Sequence, residues 1–158
     1  MVNKIKLLAM DVDGTMTDGN IYISDNGELF KSFSVKDGMG IKIAHDSDIR
    51  TAIITGRESA IVTYRARELG ITDVYQSIVD KSTVIRELMK KYQLNKDEVA
   101  YVGDDINDIP VFSIVGLSFT PSDAVPEAKK KADVVLQSAG GQGAIRECVE
   151  YILSDNAK

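Results

Sequence analysis

The stretch Ile5-Lys6-Leu7-Leu8-Ala9-Met10-Asp11-Val12-Asp13-Gly14-Thr15 decides the reading of this chain. A short apolar run, the length of a buried strand, stops abruptly at two carboxylates and a glycine. The same grammar returns further on. Thr51-Ala52-Ile53-Ile54 runs into Thr55-Gly56-Arg57, and Val99-Ala100-Tyr101-Val102 runs into Gly103-Asp104-Asp105-Ile106-Asn107-Asp108. Between these runs lie segments of helical period. Ser59 to Leu69 reads as a helix with Gly70 as its C-terminal cap, and Val84, Ile85, Leu88, Met89 and Tyr92 share one helical face. Strands alternating with helices predict an α/β fold, a three-layer Rossmann-like parallel sheet with helices on both faces. In such sheets ligands bind beyond the carboxyl ends of the strands, where the polar clusters sit.

The remaining elements follow from local signals. Ile21 to Ser24 and Leu29 to Ser34 alternate around Asp25-Asn26-Gly27-Glu28, which predicts a β-hairpin flap over about residues 20–34. Ile41 to His45 reads as helical, and Asn95-Lys96-Asp97-Glu98 has the form of a capping box on a short turn. Ile106 to Val115 reads as one helix with Pro110 near its start. Leu117 to Phe119 and Val134 to Leu136 are late strands about a helix from Ala124 to Lys131, and a last helix runs from about Gly143 to Leu153. The 158 residues read as a single domain, 1–158, with no repeat or linker.

Composition narrows the chemistry. With 24 acidic and 19 basic residues the net charge is −5, which disfavours a nucleic-acid surface. The single cysteine, Cys148, permits no intrachain disulfide, and the single histidine, His45, rules out zinc sites built from two or three histidines. No apolar run approaches the ~20 residues that span a bilayer, and Met1-Val2-Asn3-Lys4 lacks the shape of a signal peptide, so the expected location is the cytoplasm. His45 reads as a helix-end residue, and no Gly-x-Ser-x-Gly elbow is present. The chemistry must rest on carboxylates, lysine, arginine and hydroxyls.

Strand alternation places Asp11 and Asp13 on the same side, where two carboxylates repel unless a proton or cation lies between them. Mg²⁺ suits such a pair, because it prefers oxygen ligands. Each cluster has an ordinary reading as well: Asp11 or Thr55 as a helix cap, Lys81 as a surface lysine, Asp104 to Asp108 as a capped helix start. Four such clusters in succession, at or close to strand ends, are not easily independent.

Asp-x-Asp-Gly-Thr, then a Thr at a strand end, then Lys, then Gly-Asp-Asp-x-x-Asp is an order in which the chain resembles the haloacid dehalogenase superfamily of phosphotransferases, over about residues 5–136. The resemblance implies a Mg²⁺-dependent phosphomonoester hydrolase with Asp11 as nucleophile and Asp13 as general acid and base. It implies that Thr55 and Lys81 bind phosphoryl oxygens. Asp104, Asp11 and the Asp13 backbone carbonyl would hold Mg²⁺, with Asp105 or Asp108 behind them and Asp108 orienting Lys81.

Between Asp13 and the next core strand there is room only for the hairpin and one helix, so no cap domain is expected. This narrows the resemblance to the capless branch, and within it to phosphatases of keto-deoxy sugar acids. The matching segments are Asp11 to Gly19, Lys31 to Lys42, Thr55 to Arg57, Gly103 to Asp108 and Gly140 to Glu147. The implied partner is a small sugar-acid phosphate, and the implied assembly a homotetramer whose hairpins form a central barrel and whose neighbouring subunits help cover each site. The implied substrate is 3-deoxy-D-manno-octulosonate 8-phosphate, a precursor in lipopolysaccharide synthesis. A nine-carbon 9-phosphate stays open as the alternative, although Arg57 after Thr55-Gly56 favours the shorter acid. Arg57 and Arg65, two helical turns apart, offer guanidinium forks for the substrate carboxylate. Gly141, Gly143 and Arg146 are candidate contacts with a neighbouring subunit. The rival from another class is a phosphoryl-accepting receiver-type signalling domain. It would carry its acidic pair after the first strand and its acceptor aspartate after the third, whereas here the second acidic cluster follows Val99 to Val102.

Overall fold

The computed structural model describes residues 4–158; residues 1–3, the start of the N-terminal stretch read above for a signal peptide, lie outside the described residues. Eight strands and six α-helices are laid out as β1 (Leu7–Met10), β2 (Tyr22–Ser24), β3 (Gly27–Phe30), α1 (Val35–Asp46), β4 (Arg50–Ile54), α2 (Ala60–Glu68), β5 (Asp73–Tyr75), α3 (Lys81–Tyr92), β6 (Val99–Val102), α4 (Ile109–Phe112), β7 (Leu117–Thr120), α5 (Pro126–Lys131), β8 (Val134–Val135) and α6 (Ala144–Asn156). Six of the strands form a parallel sheet in the order β5-β4-β1-β6-β7-β8, and β2 and β3 form a separate antiparallel hairpin. This is the expected Rossmann-like α/β architecture, with no separate cap among the described residues.

The pleat of β1 explains the layers. Leu8 and Met10 point into one core with Ile41 and Ala44 of α1 and Ile145, Cys148 and Val149 of α6. Leu7 and Ala9 point into the other with Val84, Ile85 and Leu88 of α3 and Val111 and Phe112 of α4. Truncating a fully buried leucine such as Leu88 would cost about 2–5 kcal/mol. Helices α1 and α6 approach closely because Gly40 has no side chain: a Cβ there would lie 2.9 Å from the Arg146 Cα.

Several boundaries differ from the sequence reading for identifiable reasons. Helix α1 starts well before Ile41, because the Ser34 hydroxyl accepts from the Asp37 N–H and caps it. The hairpin strands end earlier than Ser34, with Ser24 opposite Gly27 across the Asp25-Asn26 turn. The three-residue strand β5 is too short to show a period and escaped the sequence reading. The helix expected over Ile106 to Val115 is instead a 3₁₀ turn at Ile106–Asp108 followed by the single turn α4. An Asp105/Asp108 capping box shapes its start, and Pro110 occupies its first turn. Asn95 does cap only a short 3₁₀ turn, Lys96–Glu98. Among the described residues no helix is long and apolar enough to cross a membrane.

Candidate active site

Adjacent strands β1 and β6 end beside one another, with Met10 opposite Val102, and Asp11 and Asp104 follow them. Lys81 is the first residue of α3, capped by Asp80, and its side chain is 1% exposed. A cation at a helix N-terminus opposes the helix dipole, and burial adds a desolvation cost, so this lysine needs strong partners. It has them: Nζ lies 2.9 Å from Asp11 Oδ1 and 2.8 Å from Asp108 Oδ1. Burial pulls the ammonium toward its neutral form, but those two carboxylates outweigh it and hold its pKa above the usual lysine value.

Asp108 is saturated. Its Oδ1 accepts from Lys81 and from the Tyr101 hydroxyl, and its Oδ2 accepts the N–H groups of Asp104 and Asp105. This geometry requires Gly103, where a Cβ would stand 2.3 Å from the Asp108 Cγ. Of Asp105 and Asp108, it is Asp108 that is buried and reaches Lys81, as the resemblance implied. Asp105 is exposed and caps the 3₁₀ turn through the Ile106 N–H.

Oxygen atoms of Asp11, Asp104 and Asp108 lie within 4.8 Å of one another. Burial, then repulsion from Asp108, raises the Asp11 pKa. Burial and the adjoining Asp11 push Asp104 up to about 9. Three carboxylates against one ammonium leave an excess of negative charge held on hard oxygen donors, the donor set that fits Mg²⁺. With Asp108 fully hydrogen-bonded, Asp11 and Asp104 keep oxygens free for the ion. The pocket floor is tight. Gly14, at φ +90°, carries no Cβ that would lie 2.0 Å from Asp104 Oδ2, and Thr15 Oγ1 donates to Asp104 Oδ1 at 3.2 Å.

Asp13 departs from the alternation argument. Strand β1 ends at Met10, so the pleat no longer governs residue 13, and its carboxylate turns to Lys31, with Nζ 2.7 Å from Oδ1. Lys31 follows the hairpin, its side chain is 3% exposed, and its Nζ also lies 2.9 Å from Glu28 Oε1. Nothing in Phe30-Lys31-Ser32 marks it as buried; only the folding back of the hairpin does so.

The other candidates are distributed as follows. Thr55 is buried just beyond β4, the neighbour of β1, while Gly56 and Arg57 are exposed beside it. Arg65 makes no contact with the carboxylate cluster. Its guanidinium lies 5.5 Å from the centre of the Phe33 ring and pairs with Ser34 O and Glu68, because its turn of α2 faces the start of α1. Arg146 pairs with Glu150 one turn on, at 2.6 Å, and its N–H donates to Asp37. Gly141 packs on Thr17 and Asp18 of its own chain, and its N–H donates to Thr15 O. Gly143, at φ +99°, opens α6. In the Thr15-Met16-Thr17 segment, Met16 joins the core and Thr17 Oγ1 accepts the N–H groups of Gly14 and Gly19.

Comparison with known proteins gives a consistent picture. Residues 44–147 match the family described as haloacid dehalogenase-like hydrolase. The chain is 46% identical over 154 residues to 3-deoxy-D-manno-octulosonate 8-phosphate phosphatase of Escherichia coli K12, covering 98% of this chain and 82% of that protein. It superposes with TM-score 0.95 and 41% identity on the cobalt-bound form of the corresponding Haemophilus influenzae phosphatase, over 98% of this chain and 91% of that one. The Moraxella catarrhalis enzyme, solved with magnesium ion, phosphate ion and 3-deoxy-D-manno-octulosonate, gives TM-score 0.93 at 39% identity, over 97% and 88% of the two chains.

Proposed function

The chain belongs to the haloacid dehalogenase-like hydrolases, and from that premise we propose that it hydrolyses 3-deoxy-D-manno-octulosonate 8-phosphate to the free sugar acid and inorganic phosphate. The observation that carries the reading is the convergence of Asp11, Lys81 and Asp108 beside Asp104 at the carboxyl ends of β1 and β6. Asp11 attacks the phosphorus. A bond forms from its carboxylate oxygen to phosphorus as the bond from phosphorus to the sugar oxygen breaks, and Asp13 delivers a proton to that leaving oxygen. A water then attacks the aspartyl-phosphate, Asp13 takes its proton, and Asp11 departs as carboxylate. Lys81 and Thr55 hold the phosphoryl oxygens, and Asp108 and Tyr101 hold Lys81 in position. Asp11, Asp104 and the Asp13 backbone carbonyl would hold Mg²⁺, whose charge would offset the repulsion between an anionic nucleophile and a phosphate dianion. Arg57 is the proposed fork for the sugar-acid carboxylate.

We read the chain as one domain that works as a homotetramer in the cytoplasm. Support for association comes from the hairpin, which carries Ile23, Leu29 and Phe30 at 66%, 59% and 46% exposure, an apolar surface that a partner would cover. A stable, fully active species near 17.3 kDa in light scattering would refute the tetramer.

The test of function is phosphate release with Mg²⁺ across a panel of sugar phosphates, including the eight-carbon acid and its nine-carbon 9-phosphate analogue. Fastest turnover of the eight-carbon acid is expected, and Asp11→Asn should release none. Inactivity on every keto-deoxy sugar-acid phosphate, with turnover elsewhere, would overturn the substrate. Equal turnover by Asp11→Asn would overturn the mechanism.

A further inference from the structure

The hairpin is fastened to the site by one chain of charges. Asp13 Oδ1 meets Lys31 Nζ at 2.7 Å, Lys31 meets Glu28 Oε1 at 2.9 Å, and the Ser59 hydroxyl donates to Glu28 Oε2. Asp13 lies on the loop after β1, Glu28 on β3, and Ser59 caps α2 just beyond Thr55-Gly56-Arg57. The hairpin, which pairs with no strand of the parallel sheet, is therefore joined to the loops after β1 and β4 by way of the Lys31 ammonium. Burying Lys31 is costly, and two carboxylates offset that cost only while all three side chains keep their places. A free aspartate on a loop would sample several rotamers, whereas this one has one oxygen fixed and the other left for the substrate.

We propose that Lys31 is a positioning residue for catalysis: by gripping Oδ1 of Asp13 it aims the remaining oxygen at the leaving group, and through Glu28 and Ser59 it makes that aim depend on a seated hairpin. The proposal rests on the assignment of Asp13 as general acid. A 1 Å loss of alignment in a proton-transfer geometry is enough to cost a large part of a general acid's contribution.

The test compares kcat/KM, which reports the steps through departure of the leaving group, for the Mg²⁺-loaded enzyme on two substrates. The sugar 8-phosphate leaves as an alkoxide that needs a proton; p-nitrophenyl phosphate leaves as a stable phenolate that does not. For Lys31→Met we expect a loss of about 10- to 100-fold on the sugar phosphate and under about threefold on the aryl phosphate. Adding Lys31→Met to Asp13→Asn should cost nothing further, since Lys31 acts through Asp13. Glu28→Gln, which keeps shape and removes one anchor, should split the two substrates in the same direction by a smaller factor, and stands in if Lys31→Met does not fold. Equal losses on both substrates would mean that Lys31 only holds the hairpin, and would overturn the proposal. If Asp13→Asn itself shows no split, the general-acid assignment falls and the role of Lys31 with it. If Asp13→Asn splits and Lys31→Met does not, the role of Lys31 alone falls.

Discussion

The two ends of the parallel sheet are built on opposite electrostatic plans. At the amino end each buried or half-buried acid has its own cation. Glu98 pairs with Lys6 at 2.6 Å, and Asp73 accepts from Lys91 and from the Tyr92 hydroxyl. The hydrogen bond from Lys6, then the Asn95 N–H, holds the Glu98 pKa below the usual carboxylate range, and Asp73 holds Lys91 above the usual lysine range. At the carboxyl end Asp11 and Asp108 share Lys81 with Asp104 beside them, and Asp11 and Asp104 are pushed the other way. Balanced charge stabilises a fold; unbalanced charge, held rigidly, is a binding site for something positive or for something that brings a proton.

Four experiments would break or sharpen that contrast. The largest effect belongs to Lys81→Met, which removes the only ammonium among the described residues that contacts the cluster. Turnover should fall by about 10³-fold or more, as measured by phosphate release. Next is metal. At 100 times its dissociation constant, Mg²⁺ should add about 2.7 kcal/mol of stability, seen as a rise in melting temperature that Asp104→Asn abolishes. Asp73→Asn at the opposite end should leave that rise intact. Third, Asp73→Asn should destabilise the protein by about 1–3 kcal/mol in urea unfolding without changing kcat. The smallest effect concerns His45, which lies 2.7 Å from the Thr51 hydroxyl. Burial lowers its pKa, more than the neighbouring Asp46 raises it. A histidine held neutral contributes stability that is complete above the ordinary imidazole value of 6.5 and is lost as pH falls through the lowered folded value. Unfolding curves between pH 7 and pH 5 should therefore flatten slightly in His45→Gln.

The carboxyl-end site was largely legible in the sequence, because most of its polar groups follow an apolar run that announces a strand. Asp11, Thr55 and Asp104 could be picked out that way, and Lys81 by its place in the motif order at the start of a helix. Lys31 could not: its neighbours give no apolar context, and its burial comes from a hairpin folding over a distant loop. Arg65 lies two helical turns on from Arg57 by residue count, but Arg57 precedes the start of α2, and the turn that carries Arg65 meets Phe33 and the start of α1. The resemblance already gave Asp108 the task of orienting Lys81, but the close approach of Asp108 to Gly103 that goes with it was not readable from the sequence. Strand order was not legible either, because short parallel strands carry no mark of their partners.

That strand order has a consequence in time. Strand β1 occupies the middle of the sheet, paired with β4 on one side and β6 on the other. It leaves the ribosome before both partners, and the second of them emerges roughly 5–20 s later at about 5–20 residues per second. Through that interval an apolar edge, Leu7 to Met10, waits without its neighbour, and contacts this distant in sequence form slowly even in the finished chain. Asp11, the proposed nucleophile, thus meets Asp104 only when β6 docks beside β1, so the carboxylate cluster cannot form before that distant pairing does.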